Sequence, residues 1–343
     1  MKVTRTEHKF RTPKQPKLFD AIGTQHVGQT LCFLCGKRLT HSNRSDEHVF
    51  PKWLQTRYNL WDQKLVLLNG TDISYKDLKI PCCWTCNTKY LSRIETAVNN
   101  ASLKGPEALR SLSHRTLFIW LAKIMYGILY KEGLLRRNRA VKRSGRIVPR
   151  ATLESIKMHH YFLQSVRLPM RFVDFFPASI FIFHLQKSNN LEEQFDFKDL
   201  PEHLGIAIQF GSLGIIAILQ DGGSQEKCFS SFFRRYYRFP LHPVQFIELI
   251  SMIFYRATLF NRTPKYMVLE SVRTLNVMQL PLQGFSLKPI YNDWEQNVYA
   301  KYLSFYTKQP ISTLFSPPDK VMSWLNCPNG KTRRLDLKIY PLY

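Results

Sequence analysis

Two pairs of cysteines with Cys-x-x-Cys spacing constrain this chain more than any other feature. Cys32 and Cys35 form the first pair, in CFLC, and a second group, CCWTC, follows about fifty residues later. In that group Cys83 and Cys86 have the spacer that lets both sulfurs reach one ion, whereas Cys82 does not. The pattern predicts a zinc site of four thiolates, which is structural because it leaves no open position for water or substrate. Reduced, buried thiols are the alternative, but they do not explain two matched pairs.

The rest of the chain favours a cytoplasmic protein with no membrane contact. The N-terminal MKVTRTEHKF lacks the apolar segment of a secretory signal. The longest apolar run, 117 to 130, is interrupted by Lys123 and is shorter than the roughly 20 residues that span a bilayer, so it predicts a buried helix. Cys228 and Cys327 stand alone and are interpreted as ordinary thiols.

The charge balance favours a polyanionic partner. There are 49 Lys and Arg residues against 25 Asp and Glu residues, a net charge of +24. Nucleic acid is the first candidate, although ribosome association or an acidic membrane surface would favour the same excess. The segment 136 to 150 contains seven basic residues and no acid, which is typical of a solvated mobile loop or of a loop that contacts phosphates.

Between the cysteine pairs lies SDEHVFPKWL, which combines carboxylates with a histidine. Carboxylates suit Mg²⁺ or Mn²⁺, and a neutral imidazole can take a proton from water. Together these groups can hydrolyse a phosphodiester. On a regular strand Asp46 and His48 share one face and Glu47 the other, so geometry alone favours Asp46 as the partner of the histidine.

CFLC, DEHVFPKWL and CWTCNTKYLSRIE, in this order and spacing, resemble the HNH endonuclease superfamily. These proteins are also called ββα-metal or His-Me finger nucleases, and the similar subgroup is braced by a four-cysteine zinc knuckle. The resemblance covers about residues 30 to 96. It implies a metal-dependent endonuclease that cuts nucleic acid, with DNA favoured over RNA, of the kind found in phage, mobile elements and anti-phage defence.

The resemblance assigns roles to individual residues. His48 would activate water, while Glu47 and Asn87 would bind the catalytic Mg²⁺ or Mn²⁺, with Asp46 as the second choice of acid. The family often has a histidine where this chain has Asn87, and a neutral amide should bind Mg²⁺ more weakly. The family's middle asparagine, which orients the histidine, has only Asn69 as a counterpart, and a backbone carbonyl is the alternative.

Residues around these positions have structural or electrostatic interpretations. Glu95 lies about 12 Å from Asn87 along a helix, too far to share one ion directly, and is expected either to support the ion's ligands or to pair with a base such as Lys89 or Arg93. Trp84 is interpreted as packing rather than base stacking. Val49, Phe50, Trp53 and Leu54 are expected to form a small core, and His159, His160 and His242 to be structural or surface residues. The candidate phosphate contacts are Lys52, Arg57, Lys89, Arg93, Arg136, Arg137, Arg139, Lys142 and Arg143.

The expected fold class is α+β, with a small zinc-braced ββα-metal module followed by a larger mixed α/β domain with an antiparallel sheet. Segments 179–186, 204–210 and 213–220 are expected to be strands of one sheet, the last two as a hairpin. Segments 106–135 and 243–260 are expected to be helices that begin at a proline. The expected division is a flexible basic arm (1–26), the nuclease module (27–100), a helix with a basic linker (101–150) and a domain that grips substrate or docks a protein partner or second copy (151–343).

Two other functions remain open from the sequence. A zinc-stabilised protein could bind nucleic acid without catalysis, with His48 merely packed in the fold. Alternatively, the chain could be the nuclease subunit of a larger complex, in which a partner unlocks cleavage.

Overall fold

The computed structural model describes residues 17–21, 29–135, 137, 138, 140, 141, 145, 157–284 and 287–339. Most of the expected basic arm, 1–26, lies outside this range. Within the arm, residues 17–21 are described, and they are anchored to the fold. The backbone N–H of Phe19 donates to Gln164 Oε1 at 2.9 Å, and its C=O accepts from Gln164 Nε2 at 2.7 Å.

The N-terminal part is built from short strands followed by a helix. β1 pairs antiparallel with β4, and β2 forms a hairpin with β3. The elements in chain order are β1 (Glu47–His48), α1 (Lys52–Arg57), β2 (Lys64–Val66), β3 (Asp72–Ser74), β4 (Lys79–Ile80), a π-helical segment (Thr85–Leu91) and α2 (Ser92–Lys104).

The helix expected over 106–135 is interrupted. α3 (Pro106–Arg110) begins at the proline as predicted, but a second helix, α4 (His114–Leu134), starts after a break. The reason is local: the Ser113 hydroxyl accepts a hydrogen bond from Thr116 N, which caps a new helix N-terminus. Every residue of α4 from 117 to 130 is buried, Lys123 included, which confirms the buried helix.

The C-terminal part contains two sheets. The three strands expected from the sequence lie in a four-stranded antiparallel sheet of order β6-β9-β8-β7, and β8 and β9 form the expected hairpin. A second sheet has the order β10-β11-β5, with β11 and β5 parallel. The elements are α5 (Lys157–Leu163), β5 (Met170–Val173), β6 (Ser179–His184), β7 (Phe195–Leu200), β8 (Gly205–Phe210), β9 (Leu213–Ile218), α6 (Ser224–Phe233), α7 (Pro243–Leu259), β10 (Tyr266–Glu270), β11 (Leu275–Gln279), α8 (Gln296–Thr307), α9 (Ile311–Leu314), β12 (Phe315–Ser316) and β13 (Lys320–Val321).

Helix α7 packs on the four-stranded sheet, as its apolar spacing predicted. It starts at Pro243 and is capped by the His242 side chain, which accepts from Val244 N at 3.1 Å. The close approach requires a glycine: a Cβ at Gly214 in β9 would lie 2.5 Å from the Phe246 ring. The fold is therefore mixed α+β with an antiparallel sheet, as expected.

One apolar core runs across the expected boundary between the N-terminal module and the rest. The Phe50 ring contacts Phe197 at 5.1 Å between centroids, and a Cβ on Gly127 of α4 would lie 2.5 Å from Val49. Helix α4 consequently forms a wall of the module. None of the helices in the described ranges is long and apolar enough to cross a bilayer.

Candidate metal centre and adjoining histidine site

The four cysteines selected by their spacing converge. The Sγ atoms of Cys32, Cys35, Cys83 and Cys86 all lie within 4.8 Å of one another. A tetrahedral zinc ion with Zn–S bonds of about 2.3 Å needs sulfurs about 3.8 Å apart, so a small contraction accommodates it. Cys82 comes within 3.9 Å of Cys32 Sγ but lies outside this group, and its thiol donates to the Cys83 carbonyl. In the described ranges no other group of three or more His, Cys, Asp or Glu side chains converges in this way.

The electrostatics of the cluster suit a bound cation. Hydrogen bonds from Cys35, then Cys82 and Cys86, lower the pKa of Cys32, whereas the Cys32 thiolate is the main cause that raises the pKa of Cys35 to about 12. Without a cation the cluster favours one thiolate stabilised by neighbouring thiols. A divalent ion would remove this competition, because a coordinating thiol loses its proton. The residues therefore fit a structural zinc.

His48 lies at the end of β1, which pairs with β4, the strand that precedes Cys82 and Cys83 in the chain. The histidine is half-buried, faces Lys79 across the β1–β4 pair, and meets the Trp61 ring edge-on at 5.9 Å between centroids. Burial, followed by the charges of Lys79 and Lys52, lowers its pKa to about 4. Within the described part of the chain, no hydrogen bond engages its ring nitrogens. The imidazole is therefore neutral at pH 7 and able to accept a proton.

Glu47 points to the opposite face, as strand alternation predicts. It is 4% exposed, and its Oε1 lies 2.8 Å from Nζ of Lys123, a residue of α4. The same ammonium donates to Glu95 Oε1 at 2.7 Å and to the His48 carbonyl at 2.9 Å. Burial raises the pKa of Glu47 to about 7 against the opposing charge of Lys123. Burial alone would lower the pKa of Lys123, but the two carboxylates raise it.

This buried triad corrects one expectation from the sequence. Glu95 pairs with Lys123 and not with Lys89 or Arg93. The cause is the packing of α4 against α2, which brings a cation 28 positions away in sequence to Glu95.

The oxygen donors assigned to a catalytic ion do not converge in the same way. The Glu47 carboxylate is bound to Lys123, and the Asn87 amide donates to Ser45 Oγ at 3.1 Å and to the Asp46 carbonyl at 3.4 Å. Asp46 itself forms an exposed ion pair with Arg44. As arranged, these residues do not fit a divalent ion shared by Glu47 and Asn87. Asn69 lies in the β2–β3 turn, where its Oδ1 accepts from Thr71 N.

Only some of the expected phosphate contacts remain available. Lys52, Lys89 and Arg93 are exposed on the module. Arg57 instead donates to Asn99 and Ser102 and lies over the Trp53 ring, so it holds α1 to α2. Arg137 is exposed, and Arg136, Arg139, Lys142 and Arg143 lie outside the described residues.

Trp84 differs from its expected role, whereas the expected core of the module and the expected structural histidines are found in the fold. Trp84 is 63% exposed, so the packing interpretation was wrong: the residue lies just before the π-helical segment, at a position where its ring remains in solvent. The expected core of the module is confirmed by the full burial of Val49, Phe50 and Leu54, with Trp53 half-buried. The histidines expected to be structural are buried or cap a helix; His159, His160 and His242 contact Ala122 O, Phe33 O and Val244 N.

Two lysines at the site were not predicted from the sequence. Lys79 is placed opposite His48 by a strand pair of only two residues, too short to recognise in sequence. Lys123 did leave a signal, as the one charge in an apolar run, but its partners were not evident. Comparisons with protein-family models, curated proteins and solved structures gave no match.

Proposed function

We propose that this protein is an endonuclease that hydrolyses phosphodiester bonds in nucleic acid, with His48 as the general base. The observation that supports it best is a half-buried neutral imidazole near the charges of Lys52 and Lys79, in the same module as the four-cysteine cluster. The net charge of +24 supports a polyanionic substrate, and DNA is proposed ahead of RNA. A role in anti-phage defence or in a mobile element is part of the same proposal, as is a cytoplasmic location, where free cysteines persist.

The geometry suggests a separate role for His48, for the two lysines and for the zinc. The His48 ring would take a proton from the attacking water. Its pKa of about 4 keeps the ring neutral near pH 7, and a neutral ring can accept this proton. The ammonium groups of Lys52 and Lys79 would bind the phosphate and stabilise the negative charge that develops on it. The zinc would act only through structure, because its four thiolates tie the loop that precedes β1 to the helix that follows β4.

The resemblance to HNH nucleases also implies a catalytic Mg²⁺ or Mn²⁺ bound by Glu47 and Asn87. An ion at Glu47 would have to displace the ammonium of Lys123, which lies 2.8 Å from the carboxylate. No catalytic step is therefore assigned to a divalent ion, and the dependence of cleavage on Mg²⁺ or Mn²⁺ is left to measurement.

The deciding experiment compares His48→Ala with a matched control. Purified protein is incubated with supercoiled plasmid and with end-labelled RNA, in Mg²⁺, in Mn²⁺ and in EDTA. His41→Ala is the control, because His41 is exposed in the same module. We expect His48→Ala to lose at least ~100-fold in cleavage rate with binding retained in a gel-shift assay, and His41→Ala to keep its rate. Equal cleavage by wild type and His48→Ala would refute the assignment.

A second candidate is a nucleic-acid-binding protein without catalysis, and the ion pair that occupies Glu47 favours it. Binding without cleavage under every metal condition would support this candidate. If a copurifying protein restores cleavage, the chain is instead the nuclease subunit of a complex.

A further inference from the structure

The C-terminal half contains a pocket far in sequence from the histidine site. It has a volume of about 510 Å³ and lies between the end of α7, the start of α8 and strand β13. This volume is in the usual range for small-molecule sites. Its wall includes Phe232, Trp294 and Tyr299, and two cations line it, Arg256 of α7 and the exposed Lys320 of β13.

Arg256 carries a charge that nothing nearby neutralises. In the described part of the chain its guanidinium makes no ion pair and no hydrogen bond, and its Nε is buried without an acceptor. The guanidinium lies over the rings of Phe229 and Trp294, at 4.0 and 4.9 Å from their centroids. These rings stabilise the charge and orient the group, but they do not satisfy its N–H donors.

A second donor in the same pocket also lacks an acceptor. The side chain of Tyr299 is 5% exposed, and its hydroxyl is buried without a partner. In native proteins the great majority of buried donors have a hydrogen-bond partner, so two unpaired donors on residues of one pocket require a common explanation.

Two acids line the pocket, Glu248 and Asp319, and in the described chain neither forms a hydrogen bond or an ion pair with Arg256 or Tyr299. Glu248 accepts from Ser323 Oγ at 2.6 Å and from the backbone N–H groups of Trp324 and Leu325 at 2.6 and 2.9 Å. Its oxygens are therefore bound to the segment that follows β13. The described part of the chain therefore supplies no acceptor to Arg256 Nε or to the Tyr299 hydroxyl.

We propose that this pocket binds a small ligand in which a phosphate or carboxylate group is attached to a flat ring. The oxyanion would accept from Arg256 and Tyr299, and the ring would pack against Trp294 and Phe232. A nucleoside monophosphate has this chemistry, and so does an aromatic carboxylate. The site is independent of the proposed cleavage at His48.

The test is isothermal titration calorimetry with four probes on the full-length protein. AMP and indole-3-acetate carry both parts of the ligand, whereas adenosine carries only the ring and inorganic phosphate only the anion. We expect AMP or indole-3-acetate to bind with Kd below about 1 mM and about tenfold more tightly than the two partial probes. AMP alone would identify a phosphate ligand, and indole-3-acetate alone a carboxylate ligand.

Two variants test whether ligand binding depends on the unpaired donors of Arg256 and Tyr299. Arg256→Gln should weaken binding at least about tenfold, and Tyr299→Phe about three- to tenfold. Arg235→Gln is the matched control, because Arg235 also lies over the Phe232 ring, at 4.7 Å, but does not line the pocket. Tyr299→Phe removes an unsatisfied hydroxyl and should not lower the melting temperature, so it decides the question even if Arg256→Gln fails to fold. The proposal is overturned if neither complete probe binds at about 5 mM, or if Tyr299→Phe binds as tightly as wild type.

Discussion

Replacement of Lys123 by methionine is the sharpest test of the packing around the histidine site. The side chain is 1% exposed, and its ammonium bonds to Glu47, Glu95 and the His48 carbonyl at 2.7 to 2.9 Å. Methionine has a similar length but no charge, so Lys123→Met leaves the Glu47 carboxylate buried without a partner. Removal of one member of a buried pair costs roughly 3–5 kcal/mol. A loss of this size is a large share of a typical stability of about 5–15 kcal/mol.

The assay is chemical unfolding in urea at pH 7.5, followed by circular dichroism. Lys131→Met is the matched control, since Lys131 lies half-buried on the same helix without an ion pair in the described chain. We expect it to cost less than ~1 kcal/mol. The double variant Lys123→Met with Glu47→Gln should recover at least half of the loss, because it removes the unpaired carboxylate. A cost under ~1 kcal/mol for Lys123→Met, or strict additivity in the double variant, would refute the reasoning.

Three further predictions concern the metal, the fold and the proposed base. Cys83→Ser should abolish stoichiometric zinc measured by mass spectrometry and lower the melting temperature, whereas Cys82→Ser should keep the zinc; equal zinc loss in both would contradict the ligand assignment. Burial raises the pKa of Glu248 from its ordinary value of 4.5 to about 7, so between these pH values the folded protein retains a proton that the unfolded chain has lost. The free energy of unfolding should therefore fall as the pH rises from 4.5 to about 7. Glu248→Gln should flatten this decrease, which amounts to at most about 3.4 kcal/mol, and an unchanged pH profile would contradict the raised pKa of Glu248. Because the pKa of His48 is lowered to about 4, cleavage should stay level from about pH 5.5 to 7.5, and a half-maximal rate near pH 6.5 would show an unperturbed histidine.

Several features of the fold follow from local sequence. The two-residue spacer selected Cys83 over Cys82, because ligand reach within one turn is a short-range property. The hairpin of β8 and β9 and the helix starts at Pro106 and Pro243 follow from turn residues and from the fixed backbone of proline. Alternation along β1 correctly put Glu47 on the face opposite Asp46.

The partners of the charged side chains were decided by tertiary packing. Lys123 reaches Glu47 across 76 positions in sequence only because α4 packs against the module. The same packing pairs Glu95 with Lys123, while the packing of α1 against α2 brings Arg57 to Asn99. Sequence spacing determines which ligands of one turn can share an ion. It carries no information on which helix supplies the counter-ion for a buried carboxylate, since that depends on the apolar surfaces that bring distant segments together.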